Sequence, residues 1–445
     1  MDDRPSKANI LGALSSALDL VEGQPEGHAL RTAQIALRIA ESLNLTDDER
    51  EDLYFAAVLK DSGCSNNSVR IQMIFGGDEH LSKKAVKLID WTSATESLKF
   101  AWIHTEAGQS LTAKLRRMAS NIGTPAKVMD EVTLARCTRG AAIAKMLSFR
   151  PAVADAVYSV DEHWDGRGAA TKISGDRIPV LGRILCFAQT FEVFLTTFGL
   201  AEAMSMAKAR SNRWFDPEIV RVAETLGSDH AFFATLGDPS FAEKQLPHLQ
   251  VSAVDSDVDA ICQAFAMIVD AKSSFTSQHS SRVTTYCQQV GRLFEFDEER
   301  LVSLRRASLL HDIGKLGVPT GILEKPGRLE AEEFDRIKLH AKFGHSILGR
   351  IPSFGYLAEI ASSHHERLDG KGYWRGLSGD HISLDVRIVT VCDVFDALSS
   401  KRPYREAMPL EQVWEIMGKD IGTAFDERCL SALQEAVSND QIALA

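Results

Sequence analysis

The sequence predicts an all-α protein that is built from two tandem copies of one helical unit. Apolar residues recur at helical spacing, as Val283, Cys287 and Val290 do, and no alternating strand pattern of useful length occurs. The segment "GHALRTAQIALRIAESL" around His28 also matches "QHSSRVTTYCQQVGRLF" around His279. Such self-similarity indicates an internal repeat, so two helical bundles are expected.

The match continues along the chain at nearly constant spacing. His28 and Asp61 lie 33 positions apart, and so do His279 and Asp312. Further on, "DEHWDGRGAATKISGDRIPVLGRILCFAQTFEVF" aligns with "HHERLDGKGYWRGLSGDHISLDVRIVTVCDVFDAL". The segments "FDPEIV" and "FDERCL" close the two copies. A repeat of this length predicts one shared fold rather than a chance likeness.

The repeat predicts the domain boundaries. The first copy occupies residues 1–225 and the second copy occupies residues 256–445. Between them, residues 226–255 have the Pro, Gly and polar content of a linker. The first copy carries an insertion at about residues 65–112, with helix-like parts and no recognisable motif.

Composition limits the classes of function. The chain has 445 residues, 44% of them hydrophobic and 25% charged, as in soluble globular proteins. A net charge of −11 without a long basic run argues against binding a nucleic acid polymer. No signal peptide and no uninterrupted membrane span are visible, so we expect a cytoplasmic protein without membrane contact. The seven scattered cysteines indicate reduced thiols rather than disulfides.

Five histidines and two aspartates of the second copy form the candidate metal site. Imidazole and carboxylate suit divalent first-row metals, and seven side chains exceed the usual ligand set of one ion, so two ions bridged by a carboxylate fit better. The first copy retains the fold-shaping glycines and replaces five of the seven, so the fold does not require those five. The candidate ligands are His279, His311, Asp312, His340, His364, His365 and Asp393.

Four segments of the second copy carry a resemblance to a known family: "LLHDIGKLGVP", "HHERLDGKGYWRGL", "VCDVFDALSSKRPYR" and "FDERCL". They resemble the HD-GYP branch of the metal-dependent HD phosphohydrolase superfamily, across essentially all of residues 256–445. The resemblance implies two tandem HD-type helical bundles, with a metal centre in the second. It also implies hydrolysis of cyclic di-GMP, a bacterial second messenger, to the linear dinucleotide pGpG, to GMP, or to both.

The resemblance implies how the ligands are shared between metals. His279, His311, Asp312 and Asp393 would hold one ion, and Asp312 would bridge to a second ion held by His340, His364 and His365. Members with three metals have a glutamate four positions before the first histidine, where this chain has Phe275. We therefore expect two divalent ions, iron or manganese first, with cobalt, nickel or zinc also compatible with these ligands.

Three basic residues are candidates for contacts with phosphate. Lys315, one helical turn beyond His311, would reach the phosphate or assist the leaving oxygen, and Asp312 and Lys315 are the predicted catalytic residues. Arg402 and Arg405 would clamp a second phosphate through their planar guanidinium groups. The alternative for Lys315 is a solvated lysine.

The "GYW" segment departs from the family pattern, because Trp374 replaces the signature proline. Tyr373 and Trp374 are candidate substrate contacts, and Trp374 could stack on a purine. The alternative is that Trp374 packs on the rim of the site. In the family this loop contacts partner domains, and the change leaves that role and the preferred cyclic dinucleotide open.

The first copy retains only His28 and Asp61 of the seven ligand positions, too few for a two-metal centre. Lys60 and Arg136 replace two of the histidines. One interpretation is a regulatory lobe that binds a phosphorylated ligand. The other is a lobe retained for packing, in which the cations pair with Asp61 and Asp161.

Two alternatives to cyclic dinucleotide hydrolysis remain at this point. The chain could hydrolyse another nucleotide or a phosphomonoester, because the residues determine phosphate chemistry better than the base. It could instead be a module that senses a nucleotide without turnover. The repeat is also compatible with a homodimer-like pairing of lobes or with a signalling partner protein.

Overall fold

The computed structural model describes residues 5–76, 78–106, 110–120, 125–168, 171–238, 240–273, 278–401 and 406–439. Within these residues the chain is helical and forms no β-strand, which confirms the expected all-α class. The chain divides into two units, Met1–Asp257 with Pro319–Gly321, and Val258–Val318 with Ile322–Ala445.

The α-helices that begin before Asp255 are α1 (Lys7–Val21), α2 (His28–Ser42), α3 (Asp47–Leu59), α4 (Ser68–Phe75), α5 (Glu79–Val86), α6 (Ala94–His104), α7 (Leu111–Ser120), α8 (Pro125–Met146), α9 (Pro151–Tyr158), α10 (Val180–Phe198), α11 (Leu200–Arg210), α12 (Pro217–Leu226), α13 (His230–Ala234) and α14 (Phe241–Gln245). From Asp255 onward they are α15 (Asp255–Asp270), α16 (His279–Leu293), α17 (Glu298–Leu310), α18 (Thr320–Leu323), α19 (Ala331–Leu348), α20 (Gly355–Ser363), α21 (Leu384–Ser399), α22 (Leu410–Gly418) and α23 (Glu427–Ser438). Short 3-10 helices span Cys64–Asn67, Gly175–Arg177, Pro247–Gln250, Ile313–Gly317, Pro352–Phe354 and Gly379–His381.

The two units use the same helix pairs. In the first unit α2 packs against α3 and α10, α8 packs against α9, and α9 packs against α3. In the second unit α16 packs against α17 and α21, α19 packs against α20, and α20 packs against α17. The segment expected as an insertion, about residues 65–112, contains α4, α5 and α6 and the start of α7.

The "FD" pairs that close the two aligned segments are helix caps. Asp216 accepts a hydrogen bond from a backbone N–H in the first turn of α12, and Asp426 does the same at α23. Each aspartate also pairs with an arginine of the preceding long helix, Arg183 at 2.6 Å and Arg387 at 2.8 Å. A capping carboxylate satisfies backbone donors that the helix itself leaves unpaired, so this motif has a structural role.

A close backbone approach explains one of the glycines that both units share. A Cβ atom on Gly314 would lie 1.9 Å from the carbonyl oxygen of His340, and one on Gly63 would lie 2.0 Å from that of Arg136. Only glycine permits this contact without displacing backbone. The glycine after "HDI" therefore brings the segment that follows α17 against α19, where candidate ligands meet.

Helix α10 is the apolar helix of the first unit's core. Among the described residues it alone has the length and hydropathy of a membrane span, and 67% of that window is buried inside the protein. Its buried side chains include Ile184, Phe187 and Phe191. Burial of this kind is typical of a core helix.

Candidate metal centre

The seven side chains expected as ligands converge in the second unit. Five elements or their ends supply them, and all are buried except His365, which is partly exposed. Potential ligand atoms lie within 4.8 Å of one another in three overlapping groups, and His311 and His364 each belong to two of them. They are His279 at the start of α16, His311 and Asp312 after α17, His340 in α19, His364 and His365 after α20, and Asp393 in α21.

Asp312 lies between two sets of imidazoles. Its Oδ2 atom is 3.6 Å from His279 Nε2 and 3.3 Å from His311 Nε2. Its Oδ1 atom is 3.7 Å from His340 Nε2 and 3.8 Å from His364 Nε2. The two oxygens of one carboxylate thus face different histidine groups, which is the arrangement a bridging ligand requires.

Hydrogen bonds orient three of the rings. The Nδ1 atoms of His311 and His340 each lie 2.7 Å from the backbone carbonyl oxygen of the residue three positions earlier. The Nδ1 atom of His364 lies 2.5 Å from the carbonyl oxygen of Ala361. A carbonyl oxygen can only accept, so Nδ1 carries a proton and Nε2 is left as the ring's metal-binding atom. The Nε2 atoms of His311, His340 and His364 therefore face the centre of the site, where each can bind a cation.

His279 is oriented by a carboxylate instead. Its Nδ1 atom lies 2.7 Å from Asp396 Oδ2, and its Nε2 atom lies 3.2 Å from Asp393 Oδ1. Burial would lower the pKa of His279, but its hydrogen bonds to these two carboxylates raise it to about 9. Arg282 pairs with the other oxygen of Asp396 at 2.6 Å and so holds that carboxylate in place.

The donor set fits divalent cations. His311 Nε2 and Asp312 Oδ1 are buried and lack a hydrogen-bond partner among the described residues, as expected of atoms whose partner is a metal ion. Burial lowers the pKa of His340 to about 4 and that of His365 to about 3, so both imidazoles are neutral. Although burial opposes it, nearby cationic groups hold the pKa of Asp312 well below its usual range.

Lys315 contacts the carboxylate that faces both histidine groups. Its Nζ atom lies 2.5 Å from Asp312 Oδ2, and its side chain is 22% exposed. The ammonium group is therefore at the edge of the site, within reach of both the ligand set and solvent. This position argues against the alternative of a merely solvated lysine.

The glycine loop folds back onto the histidine pair. A Cβ atom on Gly372 would lie 2.5 Å from the Cα of Glu366, so the loop packs directly against the residue after the pair. The Glu366 carboxylate accepts hydrogen bonds from the backbone N–H groups of Arg375 (2.8 Å) and Leu377 (2.9 Å). Glu366 thus closes the loop, a role that the motif alone did not reveal.

The two aromatic residues of the loop have different surroundings. The ring of Tyr373 lies 4.8 Å from that of His365, and the ring of Trp374 lies 5.4 Å from that of His345. The guanidinium group of Arg375 is 5.8 Å from the Trp374 ring. Tyr373 therefore borders the candidate ligands, whereas Trp374 lies against a histidine outside the set, and its partial exposure leaves stacking on a base or packing on the rim open.

Three sequence-based expectations lie outside the described residues. Arg402 and Arg405 were expected to clamp a phosphate, and Phe275 was the reason to expect two metals rather than three. Asp369, in the turn after the histidine pair, accepts the N–H of Lys371 at 3.0 Å and so shapes that turn.

The equivalent site of the first unit is occupied by side-chain cations. The Nζ atom of Lys60, at the position that aligns with His311, is ion-paired with the buried carboxylate of Asp61. Lys87 lies 3.6 Å from the other oxygen of Asp61, and Arg136 pairs with Asp161. Burial alone would raise the pKa of Asp61, but Lys60 and Lys87 hold it well below its usual range. The pairing that the packing interpretation expects is therefore present.

Comparison with known proteins agrees with these features. A family model described as an HD domain matches residues 68–219 and 263–429. The "3'3'-cGAMP-specific phosphodiesterase 3" of Vibrio cholerae serotype O1 is 39% identical over 435 residues, which cover 97% of this chain and 94% of that protein. A cyclic di-GMP phosphodiesterase of Thermotoga maritima is 39% identical over 174 residues, which cover 39% of this chain and 47% of that protein.

Similarity extends to a solved structure. The crystal structure of a cyclic GMP-AMP specific phosphodiesterase of Vibrio cholerae matches with a TM-score of 0.67 at 35% identity, and the match covers 99% of this chain and 100% of that one. The family model alone covers more than half of the chain. Because motifs, fold and buried donor set agree with these matches, the chain belongs to the HD-domain family, in the HD-GYP branch that its sequence resembles.

Proposed function

We propose that this chain is a metal-dependent phosphodiesterase that hydrolyses a cyclic dinucleotide. The observation that carries the proposal is the position of Asp312, whose two oxygens face separate groups of buried histidines. Such a donor set suits two divalent cations, which supply Lewis-acid activation of water and neutralise charge on phosphoryl oxygens. Relatives that are named cyclic dinucleotide phosphodiesterases support the same reaction.

We assign the ligands to two ions. His279, His311, Asp312 and Asp393 would hold the first ion, and Asp312 with His340, His364 and His365 would hold the second. Iron or manganese suits these donors best, and cobalt, nickel and zinc also suit them. The position of Asp312 supports this assignment, because its Oδ2 atom faces His279 and His311 whereas its Oδ1 atom faces His340 and His364.

Two residues prepare the site for phosphate. The Lys315 ammonium group, at the edge of the site, donates a hydrogen bond to a phosphoryl oxygen or to the leaving oxygen and holds a proton there. Asp312, ionised at neutral pH, orients both histidine groups and keeps Lys315 in place. Tyr373 and Trp374 contact the base or the ribose, and Arg402 and Arg405 contact a second phosphate.

The substrate is a cyclic dinucleotide that contains guanine. The first candidate is cyclic di-GMP, opened to pGpG or cleaved further to GMP, as the HD-GYP resemblance implies. The second candidate is 3'3'-cGAMP, which is favoured by the relative that matches over nearly the whole length. Trp374, at the position of the family's proline, is one residue that can determine the preference between these two substrates.

We also propose that the units are tandem copies with different roles. Residues 256–445 form the catalytic domain, residues 226–255 form a linker, and residues 1–225 form a degenerate domain. The recurrence of the same helix pairs and the two matches to one family model support this division. Lys60 in the position that aligns with His311 supports loss of the metal centre in the first copy.

The cellular setting remains a prediction. All seven cysteines are buried and free, which agrees with a reducing compartment such as the cytoplasm. We propose a cytoplasmic enzyme that acts on a small molecule rather than on a nucleic acid polymer or at a membrane. A homodimer or a signalling partner remains compatible with the chain.

The test combines metal content with hydrolysis on one preparation. The full chain, purified without chelator, is analysed by mass spectrometry for metals and is assayed separately with cyclic di-GMP, 3'3'-cGAMP and a generic phosphomonoester. We expect about two ions per chain and turnover of at least one cyclic dinucleotide. The variant His311→Ala with Asp312→Ala should lose both, whereas exposed His381→Ala should keep both.

Other outcomes contradict specific parts of the proposal. Turnover of the phosphomonoester alone would support the alternative of a different phosphohydrolase. Binding of a cyclic dinucleotide by metal-loaded protein without turnover would support a sensing module. Hydrolysis that survives the double substitution would contradict the assignment of the site.

A further inference from the structure

A cavity of about 1010 Å³ lies within the first unit. It extends from the paired charges of the degenerate site to the helices α4 to α7, including those of the expected insertion. This volume is at the upper end of the range of small-molecule pockets, which is roughly 300–1,000 Å³. Its apolar lining includes Phe75, Ile89, Trp91, Phe100, Trp102 and Trp214.

The cavity is bordered by apolar side chains that are accessible from solvent. Leu98, Trp102 and Leu115 line it and are 67%, 47% and 50% exposed. Leu98 and Trp102 belong to α6, and Leu115 belongs to α7. Exposed apolar residues that continue into a cavity are typical of ligand-binding grooves rather than of an ordinary surface.

The cations that line the cavity are paired with acids. The Nζ atoms of Lys83 and Lys87 lie 3.5 Å and 2.9 Å from the buried Glu22 carboxylate. Arg136 is paired with Asp161. A phosphate group would have to displace these carboxylates from their partners and would meet them as like charges. This arrangement argues against the interpretation that the first copy binds a phosphorylated ligand.

Neutral polar atoms around the cavity lack partners. Asn67 Oδ1, His163 Nδ1, Gln189 Oε1 and Trp214 Nε1 are buried and have no hydrogen-bond partner among the described residues. All four residues line the cavity, and none is more than 7% exposed. Buried polar groups are normally satisfied, so four such atoms around one cavity are available to hydrogen-bond a ligand.

Aromatic rings surround these polar atoms. The ring of His163 lies 4.0 Å from that of Trp214 in a stacked arrangement, and the ring of Trp91 lies 4.8 Å from that of His163. Burial lowers the pKa of His163 to about 4, so this imidazole is uncharged at neutral pH. Aromatic side chains with uncharged hydrogen-bonding groups beside them suit a planar aromatic ligand that is itself uncharged and carries hydrogen-bonding groups.

We propose that this cavity binds an uncharged aromatic small molecule. Its ring system fills the apolar lining, and its hydrogen-bonding groups meet the unsatisfied side chains of Asn67, His163, Gln189 and Trp214. The site is separate from the proposed metal centre and does not depend on hydrolysis. The first unit is then a ligand-binding domain built on the fold of a degenerate enzyme.

The test uses Nile red, a neutral aromatic fluorophore, titrated into the full chain. We expect enhanced, saturable fluorescence with one site per chain. Ala101→Phe on α6 and Thr133→Phe on α8 place a ring in the lining and should each weaken binding at least about tenfold. Ala209→Phe adds the same ring to an exposed position of α11 outside the lining and should bind as the wild type does.

Circular dichroism and thermal unfolding of each variant establish that it is folded. Two cavity substitutions on different helices keep the test informative if one of them does not fold. Equal Nile red affinity in the wild type and a folded cavity variant would overturn the proposed site. Displacement of the probe by inorganic phosphate, or by a simple fatty acid but not by neutral aromatic compounds, would overturn the proposed class of ligand.

Discussion

The side chain of His279 donates its Nδ1–H to Asp396 at 2.7 Å, and the same relationship recurs in the first unit between His28 and Glu192. An arginine stabilises the carboxylate in both cases, Arg282 at 2.6 Å and Arg31 at 2.6 Å. The first unit thus retains the acid behind the histidine although most of the candidate ligands are gone. This triad belongs to the shared fold, and the second unit uses it to orient a ligand.

Replacing the acid behind His279 should weaken metal binding. Asp396→Asn removes the carboxylate that fixes the ring and its tautomer, and substitutions of such partners typically cost roughly 10–100-fold in metal affinity. We expect activity to be lost at limiting metal and largely recovered at excess metal. Metal titration monitored by hydrolysis measures the shift.

The matched control for that variant is Asp396→Glu, which copies the residue that the first unit places behind His28. It retains the charge and should bind metal more tightly than Asp396→Asn. If the asparagine variant titrates with metal as the wild type does, Asp396 does not position His279.

Removing the amine at the edge of the site should impair turnover more than metal binding. Lys315→Ala should lower kcat about a hundredfold, because a positioned group that donates a proton or hydrogen bond contributes about 10²–10⁴-fold. Lys315→Arg retains the charge, so its kcat should lie between that of the wild type and that of Lys315→Ala. Steady-state kinetics on protein of known metal content checks this, and a parallel loss of metal in Lys315→Ala would instead assign Lys315 to stabilising Asp312.

The ring of Trp374 should affect substrate binding. If it stacks on a base, Trp374→Ala should raise KM by about tenfold, since such stacking contributes about 1–3 kcal/mol, and Trp374→Phe should restore most of it. Kinetics with cyclic di-GMP and with 3'3'-cGAMP measures the effect for each base. An unchanged KM with lower thermal stability would indicate that Trp374 only packs against His345.

Breaking the buried ion pair of the first unit should destabilise it. Lys60→Met removes the nearest cation from the buried Asp61 carboxylate and leaves Lys87 at 3.6 Å, and loss of one partner from a buried pair costs about 3 kcal/mol or more. Urea unfolding of the full chain measures the change, and hydrolysis by folded protein should be unaffected.

The control for Lys60→Met is the double variant with Asp61→Asn, which removes both charges. We expect it to be more stable than the single variant, because the carboxylate that lost Lys60 is removed as well and Lys87 keeps its pair with Glu22 at 2.9 Å. A single variant as stable as the wild type would show that Lys60 and Asp61 are not coupled.

The helical class of this protein was predictable from sequence, because helical spacing of apolar residues is a local pattern. The convergence of the seven candidate ligands was predictable too, since the second copy adds five chemically distinctive side chains to positions that the first copy fills with other residues. The spacing of the motifs indicated which residues could meet. The comparison of the two copies indicated that five of these side chains are not needed for the fold.

Contacts between distant segments were decided only by the tertiary structure. Asp396 lies 117 positions from His279, and only the packing of α16 against α21 shows that they form a pair. The closing role of Glu366, the pairing of Lys60 with Asp61, and the aromatic cavity around Trp214 likewise depend on which side chains are buried together. Sequence patterns report residue type and spacing, whereas burial and hydrogen-bond satisfaction are properties of the folded chain.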